Sequence, residues 1–261
     1  MGILQDRVAL VTGASRGIGK AIAKALAEQG ARVAITSRDA DAVRKAADEI
    51  APSGGQVLGF RMDVTDKAEV RTVIQRLVAR WGHIHILANN AGINARIPIE
   101  SDDDARWRAV ADAGILGTYY VTRETLRHMP THTPPGGRII NIASILGKIG
   151  VPGYTAYCAA KHGIIGFTRA LALEVVGRGI TVNAICPGWV ETDMADLGMR
   201  ETAEAMGISK EEFRRQALAA VPIQRMLDPK EIADLVVYLA SDASSGMTGQ
   251  AINLCGGQVM S

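Results

Sequence analysis

The sequence predicts an α/β protein built on a doubly wound parallel sheet. Two observations predict it: short β-branched runs alternate with longer segments of helical period along the whole chain, and a glycine-rich turn joins the first run to the first helical segment. The strand candidates are RVALVTG from Arg7, RVAITS from Arg32, QVLGFRMD from Gln56, HILANNAG from His85, RIINIAS from Arg138, ITVNAICPG from Ile180 and QAINLCGG from Gln250. Between them lie amphipathic segments. In GIGKAIAKALAEQG, Ile18, Ile22, Ala25 and Leu26 share one face, and in KAEVRTVIQRLVARWG so do Val70, Val73, Ile74 and Leu77. Strands that alternate with helices in this way pair in parallel and are covered on both faces.

The 261 residues are 48% hydrophobic, enough to fill a sizeable core and to exclude disorder. A net charge of +2, from 29 basic and 27 acidic residues without long runs, gives no field to hold nucleic acid or a membrane surface. Recognition of a phosphate must then be local. Cys158, Cys186 and Cys255 are far apart and lack a CxxC spacing, which fits small buried apolar thiols in a reducing, cytoplasmic setting. MGILQDRVALVTG does not read as a signal segment, and no window is apolar enough to span a bilayer. No repeat or linker divides the chain, so residues 1–261 read as a single domain. The turn-rich HMPTHTPPGGR from His128 is too short to separate two. The long interval from Pro187 to Pro222 follows a strand's carboxyl end, where open α/β sheets bind ligands, and reads as a partly helical substrate lid over about residues 190–222.

TGASRGIG, Thr12 to Gly19, follows the first strand and opens the first helix. Gly13 permits the sharp turn, Gly17 admits a pyrophosphate to the backbone, and Gly19 allows close helix–sheet packing; Ser15, Arg16 and Ile18 complete the loop, with the helix N-terminus facing the phosphates. The motif implies dinucleotide binding. The second strand ends in Thr36, Ser37 and Arg38 rather than in a carboxylate. With Arg16 nearby, two guanidiniums and a hydroxyl favour the 2′-phosphate of NADP, although Asp39 stands next to Arg38.

Ser144 ends the RIINIAS strand, and Tyr157 and Lys161 lie four apart in YCAAK on the following helix, on one face. The ammonium is expected to favour the ionised form of the phenol, and Ser144 to hydrogen-bond a substrate oxygen where charge develops. Together TGASRGIG, Asp63 after the third strand, NNAG at Asn89 to Gly92, Ser144, YCAAK and PGWVET at Pro187 to Thr192 resemble the classical short-chain dehydrogenase/reductase family. The resemblance spans the chain. It implies a seven-stranded Rossmann domain that transfers hydride between a nicotinamide and a carbonyl or alcohol. It implies too that Tyr157 is the general acid in reduction and that Lys161 binds the nicotinamide ribose. Asp63 and Val64 would face the adenine and Asn90, Ala91 and Gly92 would line the cleft. Thr192 and the backbone at Val190 would meet the carboxamide, and Pro187 and Gly188 of the same motif would also bind the cofactor.

Within the family, GRIINIASILGKIGV, YTAYCAAKHGIIGFTRALALE, GITVNAICPGWVETDM and INLCGG look like ketoreductases of aromatic polyketide biosynthesis, the actinorhodin type, and bacterial 3-oxoacyl carrier-protein reductases share most of these motifs. Asn94, Ala95 and Arg96 depart from the Pro-Gly-Gly of that group, in a segment that helps to orient substrate. The resemblance further implies a carrier-bound or small carbonyl substrate and a homotetramer paired through two long helices. An alcohol or hydroxy acid dehydrogenase, and a catalytically weak nucleotide-binding protein acting through partners, are the rival readings.

DAGILGT, residues 112–118, raises a separate expectation. Gly117 matches the family's glycine and reads as helix–helix packing. Gly114 falls where most members carry a catalytic asparagine, so a water in place of its amide, a local helix irregularity and a modified proton relay are expected. His83, His85, His128 and His132 lack carboxylate or thiolate partners at ligand spacing, so no metal is expected, and His162 reads as structural. Met194, Leu197, Met199 and Met206 read equally as an adaptable wall for a substrate or as packing.

Overall fold

The computed structural model describes residues 2–51, 56–131 and 136–260. It contains seven strands: β1 (Val8–Val11), β2 (Arg32–Ser37), β3 (Val57–Arg61), β4 (Ile86–Asn89), β5 (Arg138–Ile142), β6 (Thr181–Pro187) and β7 (Ala251–Leu254). All pair in parallel, in the order β3-β2-β1-β4-β5-β6-β7. The order reverses between β1 and β4, and a crevice opens there beyond the strands' carboxyl ends. Each strand lies within its sequence-predicted run.

Among the described residues there are eight α-helices: α1 (Gly17–Glu28), α2 (Ala40–Ile50), α3 (Lys67–Trp81), α4 (Asp104–Leu126), α5 (Thr155–Val175), α6 (Asp193–Met206), α7 (Lys210–Ala219) and α8 (Pro229–Ala240). The two-residue period of β1 divides the core. Ala9 and Val11 face a cluster with Ile22 and Leu26 of α1, Val43 of α2 and Val236 of α8. Val8 and Leu10 face the other cluster, with Val73 and Leu77 of α3, Val121 of α4 and Leu171 of α5. All four residues predicted for the buried face of α3 are buried. In α1, Ile22 and Leu26 are buried, whereas Ile18 and Ala25 are partly buried against the same cluster.

Candidate active site

The glycine turn is shaped by its neighbours. Gly13 has φ +64°, and a Cβ on it would stand 2.7 Å from the Ala91 Cα; Gly17 has φ +56°. Both positions are therefore restricted to glycine. A Cβ on Gly19 would reach 2.5 Å from the Gly13 carbonyl and the Asn90 amide, so this glycine serves close packing, as its motif predicts. Asn90 is a staple rather than a free cleft group: its Nδ2 donates to the carbonyls of Thr12 and Gly13, both at 3.0 Å, while the Thr12 hydroxyl accepts from the N–H groups of Asn90 and Ala91.

One cleft of about 1140 Å³ runs along the carboxyl ends of the strands. It is lined by all but one of the residues predicted for the cofactor: Gly13, Ser15, Arg16, Gly17, Ile18, Ser37, Arg38, Asp63, Val64, Asn90, Ala91, Gly92, Tyr157, Lys161, Pro187, Gly188, Val190 and Thr192. The exception is Gly19, which lies beneath the loop. Two features fit a phosphorylated dinucleotide. The N-cap of α1, Arg16, makes no side-chain cap and the first turn carries no acid, so N–H groups at this end are left for an anion. Asp39, which stood to offset Arg38 in sequence, spends its carboxylate capping α2 through the N–H groups of Asp41 and Ala42. The Asp63 carboxylate accepts from the N–H and hydroxyl of Thr65; burial pushes its pKa up, but these bonds with Arg38 and Arg61 outweigh that and hold it below the usual value.

Ser144, Tyr157 and Lys161 line the same cleft. β5 delivers Ser144 to its carboxyl end, and α5 begins where Thr155 follows the turn at Pro152–Tyr154. The electrostatics correct one expectation. Burial pushes the Tyr157 phenol up to about 12, against a hydrogen bond with Ser144 that lowers it. Burial also pulls Lys161 down to about 8. Lys161 Nζ lies 5.4 Å from the Tyr157 ring centroid and donates to the Ile142 carbonyl at 2.8 Å. The ammonium thus sits over the ring and is held by a backbone oxygen, and what opposes desolvation at the phenol is the Ser144 hydrogen bond rather than the lysine. The arrangement keeps Tyr157 protonated, as a proton donor requires.

The expectations for α4 are corrected as well. The helix runs unbroken from Asp104 to Leu126, with no irregularity at Gly114. A Cβ on Gly114 would stand 2.8 Å from the Ala160 Cβ on α5, so glycine here permits close approach of the two helices. In a regular helix the Gly114 carbonyl is engaged by the N–H four residues on, and the lysine takes the Ile142 carbonyl instead. Gly117 packs on Val64, in the turn after β3, rather than on another helix: its Cβ would lie 2.6 Å from Val64 Cγ2.

The interval after β6 forms α6 and α7, and Thr192 caps α6 by accepting from the Ala195 N–H at 3.2 Å. Met194 lines the cleft, Met199 is buried with Ala195 and Met226 against Trp189 and Phe213, and Leu197 and Met206 are exposed. The methionines therefore divide between wall, core and surface. Trp189, Tyr154, Thr202, Phe213 and Gln258 also line the cleft; Trp189 and Tyr154 lie within motifs quoted above, but none of the five is predicted as a site residue. Cys186 and Cys255 are buried, and Cys158 is partly buried. His85 Nδ1 accepts from the Val8 N–H, and burial beside Arg7 and His83 lowers its pKa to about 4; His162 Nδ1 lies 2.9 Å from the Cys158 carbonyl; His132 lies outside the described residues. Among the described residues no group of three His, Cys, Asp or Glu could hold a metal, and no helix is long and apolar enough to cross a membrane.

The model of the family described as enoyl-(acyl carrier protein) reductase matches residues 13–258. A protein of Streptomyces coelicolor named as a ketoacyl reductase is 38% identical over 257 residues, covering 98% of each chain. The 3-oxoacyl-[acyl-carrier-protein] reductase of Vibrio cholerae is 37% identical over 257 residues, covering 98% of this chain and 99% of its own. The crystal structure of a variant actinorhodin polyketide ketoreductase with NADPH superposes with a TM-score of 0.91 at 38% identity, covering 99% of both chains.

Proposed function

Because the chain belongs to the short-chain dehydrogenase/reductase family, we propose that it is an NADPH-dependent ketoreductase that reduces a ketone of the 3-oxoacyl or polyketide type, small or presented on a carrier. The observation that carries the reading is the grouping of Ser144, Tyr157 and Lys161 in one cleft, with the phenol held protonated. A nicotinamide bound there would supply the hydride. Ser144 and Tyr157 polarise the ketone oxygen by hydrogen bonding, and Tyr157 delivers the proton as the oxygen becomes an alkoxide. Lys161, cationic at neutral pH, would favour the negative charge left on the phenol and would hold the nicotinamide ribose. Arg38, Arg16 and Ser37 are the groups that would hold a 2′-phosphate, and the N-terminus of α1 the pyrophosphate.

The segment from about 190 to 222, comprising α6 and α7, acts in this reading as a substrate lid within one domain of residues 1–261. Assembly into a homotetramer is supported by apolar groups that α4 and α5 leave on the surface. Ile115, Leu116 and Tyr119 are exposed on α4, as are Ala159, Gly163, Gly166, Ala170 and Leu173 at helical spacing on α5. The free thiols and the absence of a membrane-crossing helix among the described residues support a cytoplasmic site of action. The same residues would serve an alcohol dehydrogenase working by oxidation, with the phenolate that reduction leaves acting as its base, so the direction of turnover is what separates the two readings.

The test is a turnover screen of 3-oxoacyl thioesters, cyclic ketones, enoyl thioesters and secondary alcohols with each nicotinamide. Ketone reduction with NADPH is expected. Turnover confined to enoyl thioesters or alcohols, or tight NADPH binding with no turnover at all, would overturn the reading.

A further inference from the structure

One carboxylate ties α6 to the substrate end of the cleft. Glu201 accepts a hydrogen bond from the Arg96 backbone N–H at 3.0 Å through one oxygen and pairs with the Arg106 guanidinium of α4 through the other. Its side chain is 20% exposed, against 40% and 53% for Asp196 and Glu191, the carboxylates of the ion pairs that flank it on this segment. It is therefore the least screened acid there. The same face of α6 carries Gly198 and Thr202. The Tyr154 hydroxyl lies 2.9 Å from the Thr202 hydroxyl and donates to the Gly198 carbonyl at 3.3 Å. Asn94 presses on Gly198, where a Cβ would stand 2.9 Å from its Nδ2. Positions 198, 201 and 202, spaced as one helical face, thus seat on three separate pieces of the cleft wall.

The wall they fix leads to the reacting phenol. Ala95 and Ile97 are buried with Val110 and Ala156 in the small cluster against which Tyr157 packs, and Asn94, Tyr154, Thr202 and Tyr157 all line the cleft. Glu201, Arg96 and Arg106 do not line it. Hydride transfer selects one face of a ketone by how the carbonyl is held, and a misplacement of about 1 Å costs roughly a hundredfold in rate. We propose that Glu201 is a positioning residue, latching α6 onto the Asn94–Ile97 backbone and Arg106. By this latch a charge pair outside the cleft sets substrate orientation at Tyr157, and hence the configuration of the alcohol formed. This rests on the ketoreductase reading above for its substrate, but not for the latch itself.

The experiment compares Glu201→Ala, Glu201→Gln and Arg106→Ala with the parent. It measures KM, kcat and product enantiomer ratio on a prochiral cyclic ketone, NADPH affinity by fluorescence, and amide hydrogen exchange over residues 93–98 and 195–206. Loss of the latch in Glu201→Ala or Arg106→Ala is expected to raise KM roughly tenfold, to erode the enantiomer ratio and to speed exchange in both segments, with NADPH affinity retained. Glu201→Gln keeps an acceptor for the Arg96 N–H and is expected to fall between. Unchanged KM, enantiomer ratio and exchange in Glu201→Ala would overturn the proposal, as would an equal loss of NADPH affinity, which would mean collapse of the whole segment. If the parent reduces no ketone, the functional reading fails, and the exchange data still decide the latch.

Discussion

Gly114→Ala probes the contact that replaces the usual asparagine. The added Cβ would lie 2.8 Å from Ala160 Cβ, whereas carbon atoms rest at about 3.5–4.0 Å, so the helices must separate locally by roughly 0.7–1.2 Å. Overpacking of this kind costs about 1–3 kcal/mol. Removing a glycine from a helix interior returns about 1 kcal/mol. The net loss is then at most about 2 kcal/mol, a fall of up to roughly 8 °C in Tm at about 2–4 °C per kcal/mol for a chain of this size. Ala160 precedes Lys161 and stands one turn from Tyr157, so displacement of α5 is transmitted to both and kcat is expected to fall. Calorimetry and kinetics on Gly114→Ala, Ala160→Gly and the double variant separate the terms, because the second substitution vacates the crowded space. A coupling of about 1–3 kcal/mol is expected, with recovery of kcat in the double variant. Asparagine adds an amide beyond the same Cβ and should lose more. If Gly114→Ala raises Tm by helix propensity alone, leaves kcat intact and shows no coupling to Ala160→Gly, the close-packing argument is refuted.

Tyr157→Phe, which removes the proton donor and little volume, is expected to lower kcat about 10²–10⁴-fold while NADPH binding persists, as isothermal titration can check. Arg38→Ala should weaken NADPH roughly 10–100-fold and leave NADH unchanged; equal affinities for NADPH before and after would show that this guanidinium does not read the phosphate. The pH profile follows from the two buried groups: Tyr157 stays loaded until about 12, whereas Lys161 is cationic below about 8 and neutral above it. Reductive kcat/KM should therefore be flat through neutrality and fall as pH rises through about 8; a rate that climbs across that range would contradict the assignment.

The parts of the fold legible in sequence are those set by local periodicity. All seven strands and the apolar face of α3 follow from alternation and helical spacing, and the glycine turn carries its own explanation in Gly13 and Gly17. Side chains that spend their polar groups on distant partners are harder to read. Asn90 belongs to a motif expected to line the cleft, yet its amide is committed to carbonyls of the glycine turn. Asp39 looks like a charge opposing Arg38 until its carboxylate is seen capping α2. In both cases the residue type was visible and its partner was not.

Burial produces the larger departures, because the cost of a charge depends on everything packed around it. A Tyr–Lys pair four apart on one helix face suggests an ammonium that ionises a phenol. In the folded chain both groups are desolvated, the lysine is turned onto a backbone carbonyl, and each is driven toward its neutral form. The same blindness hides Glu201, which in sequence is one more acid on an amphipathic helix, like the exposed Glu204. Only the approach of α6 to the 94–97 segment, permitted by the missing side chain at Gly198, brings that carboxylate against the Arg96 N–H and the Arg106 guanidinium. Gly114 and Gly198 thus act alike: each lets a helix come close enough to place a charged group, Lys161 on the facing helix in one case and Glu201 on the glycine's own helix in the other. Distances set by absent side chains are tertiary quantities, which is why the chemistry of this cleft is less legible in the sequence than its fold.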